Sequence, residues 1–302
     1  MCGIAGVMYR GSDKEFSTGE ALIRMLDGCQ HRGPDSTGFA LYAPEPSGRL
    51  KLRFFVDPES DADDEVAIAT IRQRLLDLGA AIEEEARAGD NYRVTVLYDG
   101  DVQKLSYEME HAAKVISIGT SLEIIKDVGS AYDVDDRYHV NQFNGTHGLG
   151  HVRLATESEV KPEAAHPFWA TGFADVAIVH DGQITIYWKM RRRLEQRGFE
   201  FTTDNDSELI AVYLADKLAK GITLQDALST SIDDLDGAFS FLVSTEDEIG
   251  YAKDRWAAKP LVIREDKDVV AIASEEVALD TLGLGESQRI EPQENEVMTW
   301  SI

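Results

Sequence analysis

The pattern of hydrophobic and polar positions divides the chain into short apolar runs and longer amphipathic segments. Short apolar runs between turn residues predict strands, whereas apolar residues recurring every three or four positions predict helices. This mixture indicates an α+β fold in which strands are often neighbours in sequence. Strands are predicted at residues 4–8, 38–42, 176–180, 183–187, 237–244, 249–253 and 269–274, and helices at 19–26, 188–197 and from about 206 onward.

Two local signals add detail to this pattern. Asp181 and Gly182 separate two apolar runs, and an Asp-Gly pair in that setting is typical of a tight hairpin turn. Asp206 or Ser207 is expected near the N-cap of the helix that follows Asn205.

Residues 43–145 are predicted to form a small α+β subdomain inserted into the main domain, which comprises residues 1–42 and 146–302. A ferredoxin-like arrangement fits the alternation of elements. Three roles are open for the insertion: a regulatory ligand site, a docking surface, and bulk without a function of its own. Within it, strands are predicted at 51–56, 91–98 and 113–118, and helices at 64–87 and 121–127.

The chain is strongly acidic, with 55 Asp and Glu against 30 Lys and Arg and a net charge of −25. Nucleic acid and anionic membrane surfaces are therefore poor partners. A high-salt cytoplasm, an ordinary acidic protein and docking on a basic subunit would each account for the charge. No apolar run reaches the roughly 20 residues of a membrane span, and no secretory leader precedes Cys2. We therefore expect a cytoplasmic protein.

The chain has two cysteines, and they suggest different roles. Cys29 is expected to be a buried helix residue, because a disulfide to Cys2 is disfavoured in a reducing compartment. Removal of Met1 would leave Cys2 as an N-terminal residue that carries a thiol nucleophile and an α-amine with a reference pKa of about 7.7–8.0. That pair suits acyl transfer from an amide. No Cys/His cluster has zinc-ligand spacing, so no metal is expected.

Five further motifs follow Cys2 in one order, and together they identify a family resemblance. The chain resembles the class II glutamine amidotransferases, whose glutaminase domains are N-terminal-nucleophile hydrolases. The resemblance covers about residues 1–42 and 146–285, and it implies a four-layer αββα sandwich with Cys2 at the end of an inner strand. The motifs are MCGIAG at the start, HRGPDSTG at 31–38, GHVRLAT at 150–156, AHPF at 165–168, VHDG at 179–182 and DNDSE at 204–208.

The resemblance also implies roles for individual residues in binding and hydrolysing L-glutamine. Arg153 matches the position that holds the α-carboxylate, with Thr156 assisting, and Asp206 matches the acid that receives the α-ammonium group. His166 resembles a residue lining the glutamine pocket, and Gly182 would give a backbone N–H to the oxyanion. Arg255 and the segment 259–261 also resemble family positions, interpreted as structural or as a contact to an acceptor domain.

Asp181 is the main departure from the family, which usually has asparagine at this position to donate a second hydrogen bond to the oxyanion. An ionised aspartate cannot donate, and its charge would oppose the developing one. Losing one such donor costs a factor of about 10² to 10³ in rate. Three outcomes are open: a protonated Asp181 that donates, a slow site activated by a partner, or a regulatory or scaffolding subunit without activity.

Class II amidotransferases pair the glutaminase domain with a module that uses the ammonia, and none is recognisable in this chain. We therefore expect a separate synthase subunit as the acceptor and an oligomeric assembly. The motifs look most like the amidotransferase subunits of glutamate synthase-like and N-methylglutamate synthase-like systems. This resemblance implies no cofactor in this chain, and flavin and iron–sulfur clusters in the partner subunit.

Overall fold

The computed structural model describes residues 2–11, 14–46, 48–56, 61–155, 160–285 and 287–302, with the backbone alone for 61–63. Strands and helices alternate along it in the mixed order of an α+β protein. The strands are β1 (Gly3–Tyr9), β2 (Ser36–Tyr42), β3 (Arg49–Phe55), β4 (Ala81–Ala88), β5 (Asn91–Leu97), β6 (Val115–Gly119), β7 (Leu122–Val128), β8 (His147–Arg153), β9 (Phe168–Trp169), β10 (Ala177–Ile184), β11 (Gly237–Ser244), β12 (Glu248–Lys253), β13 (Val262–Glu265), β14 (Val269–Ala273), β15 (Gln288–Ile290) and β16 (Val297–Ser301). The helices are α1 (Thr18–Cys29), α2 (Asp61–Asp77), α3 (Val102–Glu110), α4 (Ala131–Tyr138), α5 (Tyr187–Glu195), α6 (Asp206–Ala219), α7 (Leu224–Asp234) and α8 (Glu276–Asp280).

Two large antiparallel sheets lie face to face in the centre of the molecule. One has the strand order β15-β13-β14-β1-β8-β2-β7, and the other has the order β16-β12-β11-β10-β9. Successive side chains of a strand point to opposite faces, so each sheet contributes one apolar face to the shared core. Buried members of that core are Ile4, Met8 and Leu149 from the first sheet and Val179, Leu242 and Tyr251 from the second.

Helices cover the outer face of each sheet. Helices α1, α4 and α8 pack on the first sheet, and α5, α6 and α7 pack on the second. Helix α1 begins after Ser17, whose side chain accepts a hydrogen bond from the Glu20 N–H and so caps the helix. The result is a four-layer αββα sandwich, which confirms the predicted fold.

The insertion forms its own four-stranded antiparallel sheet in the order β4-β5-β3-β6, with α2 and α3 packed on it. Its element order, β-α-β-β-α-β, is that of the ferredoxin-like arrangement. The separate sheet runs from Arg49 to Gly119 and is shorter than the predicted insertion of 43–145. The later part of that range returns to the main domain, because β7 pairs with β2.

One predicted helix of the insertion is too long, and another is a strand. The helix predicted at 64–87 ends at Asp77, and residues 81–88 form the edge strand β4, which pairs with β5. Most residues of β4 are exposed, so this strand lacks the alternation that would have revealed it. The helix predicted at 121–127 is the strand β7, whose side chains are buried on both faces and give no two-residue period.

The hairpin predicted at Asp181 and Gly182 is also wrong. Both residues lie inside β10, which pairs with β11 without interruption from Ala177 to Ile184. Cys29 is fully buried at the end of α1, as predicted. In the described part of the chain, no helix is long and apolar enough to cross a membrane.

Candidate active site

One cavity of about 990 Å³ contains nearly all the residues assigned from sequence. It opens beside the start of β1, the end of β8, the end of β10 and the N-terminus of α6. Thr156 lies outside the described residues. The assigned residues that line the cavity are Cys2, Arg153, His166, Asp181, Gly182 and Asp206.

Cys2 immediately precedes β1 and is held by its backbone. The Arg32 Nε donates a hydrogen bond to the Cys2 carbonyl at 2.8 Å, and Gly3 pairs with Val152 of β8. Burial raises the pKa of the Cys2 thiol, whereas a hydrogen bond with the Leu154 backbone opposes this shift. The thiol therefore needs a base to become a thiolate near neutral pH.

Asp181 occupies the centre of a group of hydrogen-bond donors. Its Oδ1 lies 3.4 Å from the Cys2 nitrogen and 3.2 Å from the Lys259 Nζ. Its Oδ2 lies 3.3 Å from the Arg32 Nη2. The side chain is buried, with 4% of its surface exposed. All three partners donate, so the geometry favours a carboxylate over the protonated Asp181 considered from the sequence.

Arg32 is shared between Asp181 and a second carboxylate. Its Nη1 lies 2.7 Å from Glu275 Oε1, and the other oxygen of Glu275 lies 3.2 Å from the His31 Nε2. Arg32 itself is 7% exposed and does not line the cavity. The Arg32 guanidinium therefore lies behind the cavity wall and holds Cys2 and Asp181 in place through hydrogen bonds.

Gly182 is exposed and lines the cavity, and its backbone conformation disfavours any other residue. Its φ is +151°. A Cβ atom here would lie 2.3 Å from the Ala238 carbonyl oxygen and 2.8 Å from the His180 Nε2. The close approach of β11 explains the glycine and leaves the cavity side of this position without a side chain.

Arg153 ends β8 on the wall that adjoins Cys2. It is buried, and its neighbour across the sheet is Ser36 of β2. Burial lowers the pKa of Arg153, while Cys2 and Asp35 oppose this shift. A guanidinium has five N–H donors in a planar fork, which suits a bound carboxylate.

Asp206 lies in the first turn of α6, but it does not cap the helix. The cap is Asn205, whose side chain accepts from the Ser207 N–H. Asp206 instead accepts from the Ile184 N–H at 2.9 Å, and its other oxygen lies 3.5 Å from the His180 Nδ1. Burial raises its pKa, but the hydrogen bond and charge of His180, together with hydrogen bonds from Ile184 and Ser207, lower the pKa of Asp206 overall.

Three buried histidines lie in or next to the cavity wall, and two of them, His166 and His180, contact the Ser207 hydroxyl. The Ser207 Oγ is 2.6 Å from the His166 Nε2 and 3.1 Å from the His180 Nδ1. The rings of His151 and His166 stack with centroids 4.1 Å apart. Burial lowers the pKa of His151 to about 3 and the pKa of His166 well below its usual value. Within the described residues, no group of side chains is arranged to hold a metal ion.

Sequence reasoning assigned no catalytic role to Arg32, Lys259, His180 or Ser207. Arg32 and Lys259 contact Asp181, His180 contacts Asp206, and Ser207 contacts His166. Each lies in or beside a motif that was recognised, namely residues 31–38, 259–261, 179–182 and 204–208. Position within a motif was therefore the available signal, but only the folded chain shows which side chains meet.

Comparisons with known proteins identify the family of this chain. A family model described as a glutamine amidotransferase domain matches residues 151–281. The chain is 39% identical over 307 residues to a protein of Methanothermobacter thermautotrophicus described as a candidate glutamine amidotransferase, with 97% of this chain and 98% of the relative covered. It is 36% identical over 302 residues to the glutamine amidotransferase-like protein GlxB of Rhizobium meliloti, covering 99% and 98% of the two chains.

A third relative is longer and shares only part of its length. The amidophosphoribosyltransferase of Methanocaldococcus jannaschii is 34% identical over 186 residues, which cover 61% of this chain and 40% of the relative. Among solved structures, the PRPP amidotransferase of Bacillus subtilis complexed with ADP and GMP matches with a TM-score of 0.62 at 20% identity. That match covers 99% of this chain and 47% of the other, and at this identity it concerns the fold alone. The chain belongs to the class II glutamine amidotransferases.

Proposed function

We propose that this chain hydrolyses L-glutamine to glutamate and ammonia, with Cys2 as the nucleophile. The observation that carries the proposal is the meeting of Cys2, Arg153 and Asp206 on one cavity. These three residues offer a thiol, a planar cation and a carboxylate. A free amino acid with a side-chain carboxamide needs each of these groups at a different point.

In this proposal the amino-acid head of glutamine binds away from the thiol. Arg153 receives the α-carboxylate through paired N–H donors, and Asp206 receives the α-ammonium group. Asp206 is already oriented by the Ile184 N–H and by His180. With the head held at both charges, the side-chain carboxamide extends toward Cys2 and Gly182.

The reaction then proceeds through a thioester. The Cys2 sulfur attacks the carboxamide carbon, and the C=O electrons move to the oxygen while the α-amine takes the thiol proton. Collapse of this intermediate breaks the C–N bond, and the α-amine passes the proton to the departing ammonia. Water then attacks the thioester, glutamate leaves, and the thiol is restored. Asp181 lies 3.4 Å from the Cys2 nitrogen, where a carboxylate would orient that amine once Met1 is removed.

We further propose that the ammonia is used by a separate synthase subunit of the glutamate synthase-like type, which carries its own flavin and iron–sulfur cofactors. Two relatives align over 98% of their own lengths, which leaves little room in them for an acceptor module. Exposed apolar side chains also stand at the cavity, with Leu154 38% and Trp188 66% exposed. Such a surface suits a partner that covers the cavity mouth. Recovery of only a sugar- or nucleotide-modifying enzyme on affinity purification from the native host would contradict this assignment.

The hydrolysis is tested by measuring glutamate release from glutamine, after intact mass has shown that Met1 is absent. Cys2→Ala is expected to abolish release while glutamine binding, followed by calorimetry, persists. Cys29→Ala is the matched control, because this second thiol is buried in α1 and outside the cavity. If the processed wild type binds glutamine but does not hydrolyse it, the alternative of a regulatory subunit is favoured. The reason for considering that alternative is that Asp181 stands where the family usually has asparagine.

A further inference from the structure

Lys259 is a cation at the reactive end of the cavity that the proposed mechanism has not used. It lines the cavity, and 27% of its side chain is exposed. Its Nζ lies 3.2 Å from Asp181 Oδ1, the same oxygen that lies 3.4 Å from the Cys2 nitrogen. The ammonium and the nitrogen of the nucleophilic residue are therefore gathered around a single carboxylate oxygen.

The Lys259 ammonium has donors to spare. An ammonium group carries three N–H donors, and Asp181 is its one acceptor among the residues that the structure describes. Lys51 and Lys126, which are both buried, differ in this respect. The Lys51 Nζ contacts the Ala43 and Ser121 carbonyls, and the Lys126 Nζ contacts the carbonyls of residues 163, 165 and 167. The fold supplies two carbonyl acceptors to the Lys51 ammonium and three to the Lys126 ammonium, whereas Lys259 has hydrogen bonds to offer to a molecule in the cavity.

The negative charge of Asp181 creates a need for the hydrogen-bond donors of Lys259. A carboxylate at position 181 brings negative charge close to where the oxyanion would form, and it supplies no donor. Arg32 does not compensate inside the cavity, because it is buried behind the wall and is bound to Glu275 and the Cys2 carbonyl. Lys259 combines contact with Asp181, exposure to the cavity and remaining N–H groups.

We infer that Lys259 is a further catalytic residue, whose ammonium donates to the oxyanion beside the Gly182 N–H. It takes the place of the asparagine amide that the family usually provides. Asp181 then holds the ammonium and the Cys2 amine in position. When the sulfur–carbon bond forms and the C=O electrons move to oxygen, Lys259 hydrogen-bonds the new anion; no proton is transferred, and the bond is released when ammonia leaves. This inference rests on the proposed glutamine hydrolysis.

The test compares Lys259→Met, Lys259→Arg and the double variant Lys259→Met with Asp181→Asn. Removal of the ammonium alone is expected to lower kcat by about 10² to 10³, the effect of losing one oxyanion donor, with KM changed less than about threefold. The arginine variant keeps a cation and is expected to retain most of the activity. The double variant restores an amide donor and is expected to recover at least about tenfold over Lys259→Met. If Lys259 had only a structural role, Lys259→Met would lower the thermal unfolding temperature. Adding Asp181→Asn would then not restore the kcat of the folded variant.

The inference is overturned if folded Lys259→Met keeps kcat within about threefold of wild type, or if the double variant remains as slow as Lys259→Met. If Lys259→Met does not fold, the arginine and double variants are compared with wild type instead. A second readout uses 6-diazo-5-oxo-L-norleucine, a diazoketone analogue of glutamine whose carbonyl would occupy the same position. Its rate of labelling Cys2, followed by intact mass, is expected to fall in the same order as kcat.

The two readouts separate failure of this inference from failure of the proposed function. Wild-type protein that hydrolyses glutamine and labels at Cys2, alongside a Lys259→Met variant that does both equally well, sinks only the role of Lys259. Processed wild-type protein that neither hydrolyses glutamine nor is labelled sinks the proposed hydrolysis and the role of Lys259 with it.

Discussion

The two ends of the cavity differ in how their charged residues are arranged. At the proposed recognition end, Arg153 and Asp206 lie on different elements, the former at the end of β8 and the latter in the first turn of α6. At the reactive end, Asp181 is surrounded by Arg32, Lys259 and the Cys2 nitrogen. In the motif resemblance, Arg153 and Asp206 match the family's positions, whereas Asp181 departs from them and is surrounded by donors. In the proposed function, substrate recognition keeps the family's residues, while stabilisation of the transition state uses different ones.

Gly182→Ala is expected to break the reactive end and to have the largest effect. The new Cβ would lie 2.3 Å from the Ala238 carbonyl oxygen at a φ of +151°. The backbone must shift and would move its N–H away from the oxyanion, so kcat is expected to fall by about 10² to 10³. The strain is expected to cost about 1–3 kcal/mol of unfolding free energy. Steady-state kinetics and urea unfolding measure the two effects.

Gly221→Ala is the matched control for that variant. Gly221 also has a positive φ, of +79°, but a Cβ atom added there would have no neighbour within 4 Å, and the residue is outside the cavity. This variant is expected to lose some stability with no change in kcat. Equal kcat values in the two glycine variants would remove Gly182 from the catalytic assignment.

Arg153→Lys is expected to break the recognition end without slowing the chemical step to the same degree. Lysine keeps the charge but loses the paired planar donors. Hydrogen bonds to charged groups are worth about 1.5–3 kcal/mol, so KM is expected to rise by roughly tenfold to a hundredfold. Arg264→Lys is the control, because Arg264 pairs with Glu276 outside the cavity. A fall in kcat with an unchanged KM would contradict the recognition role.

The smallest predicted effect concerns pH and the buried histidines. Burial lowers the pKa of His147 from 6.5 to about 4. Below pH 6.5 the unfolded chain therefore takes up a proton that the folded chain refuses, and stability falls as the pH drops toward 4. The loss approaches about 1.4 kcal/mol per pH unit for such a histidine. Glu110 acts oppositely in this range, because burial raises its pKa to about 7.

A histidine variant isolates this contribution from that of Glu110. His147→Gln is expected to flatten the fall in unfolding free energy between about pH 6.5 and pH 5 in urea titrations. His111→Gln is the control, since His111 is exposed at the end of α3. An identical pH dependence for both variants would show that His147 remains as easily protonated in the fold as in the unfolded chain.

The sequence predicted the sandwich and the lining of the cavity because both depend on local patterns and on recognisable motifs. It failed where tertiary contacts decide. The edge strand β4 has mostly exposed side chains and helix-favouring Ala and Glu, so its pairing with β5 was invisible. Asp181 and Gly182 resemble a turn, yet β11 pairs with them and keeps β10 extended.

The same reason explains which charges were missed. Lys259 is 78 residues from Asp181 in sequence, and Arg32 is 149 residues away. Nothing in the spacing of these residues predicts that they meet on one carboxylate. A motif can thus show that Asp181 replaces the usual asparagine. That Lys259 lies beside it can be recognised only from the folded chain.

The most direct test of the account is to trap the thioester. Processed protein would be mixed with glutamine, quenched in acid within the first turnover, digested and analysed by mass spectrometry. The account predicts a γ-glutamyl adduct on the peptide that begins with Cys2, absent from Cys2→Ala and discharged when the quench is delayed. Glutamate release that persists in Cys2→Ala, with no adduct on the wild-type peptide, would contradict it.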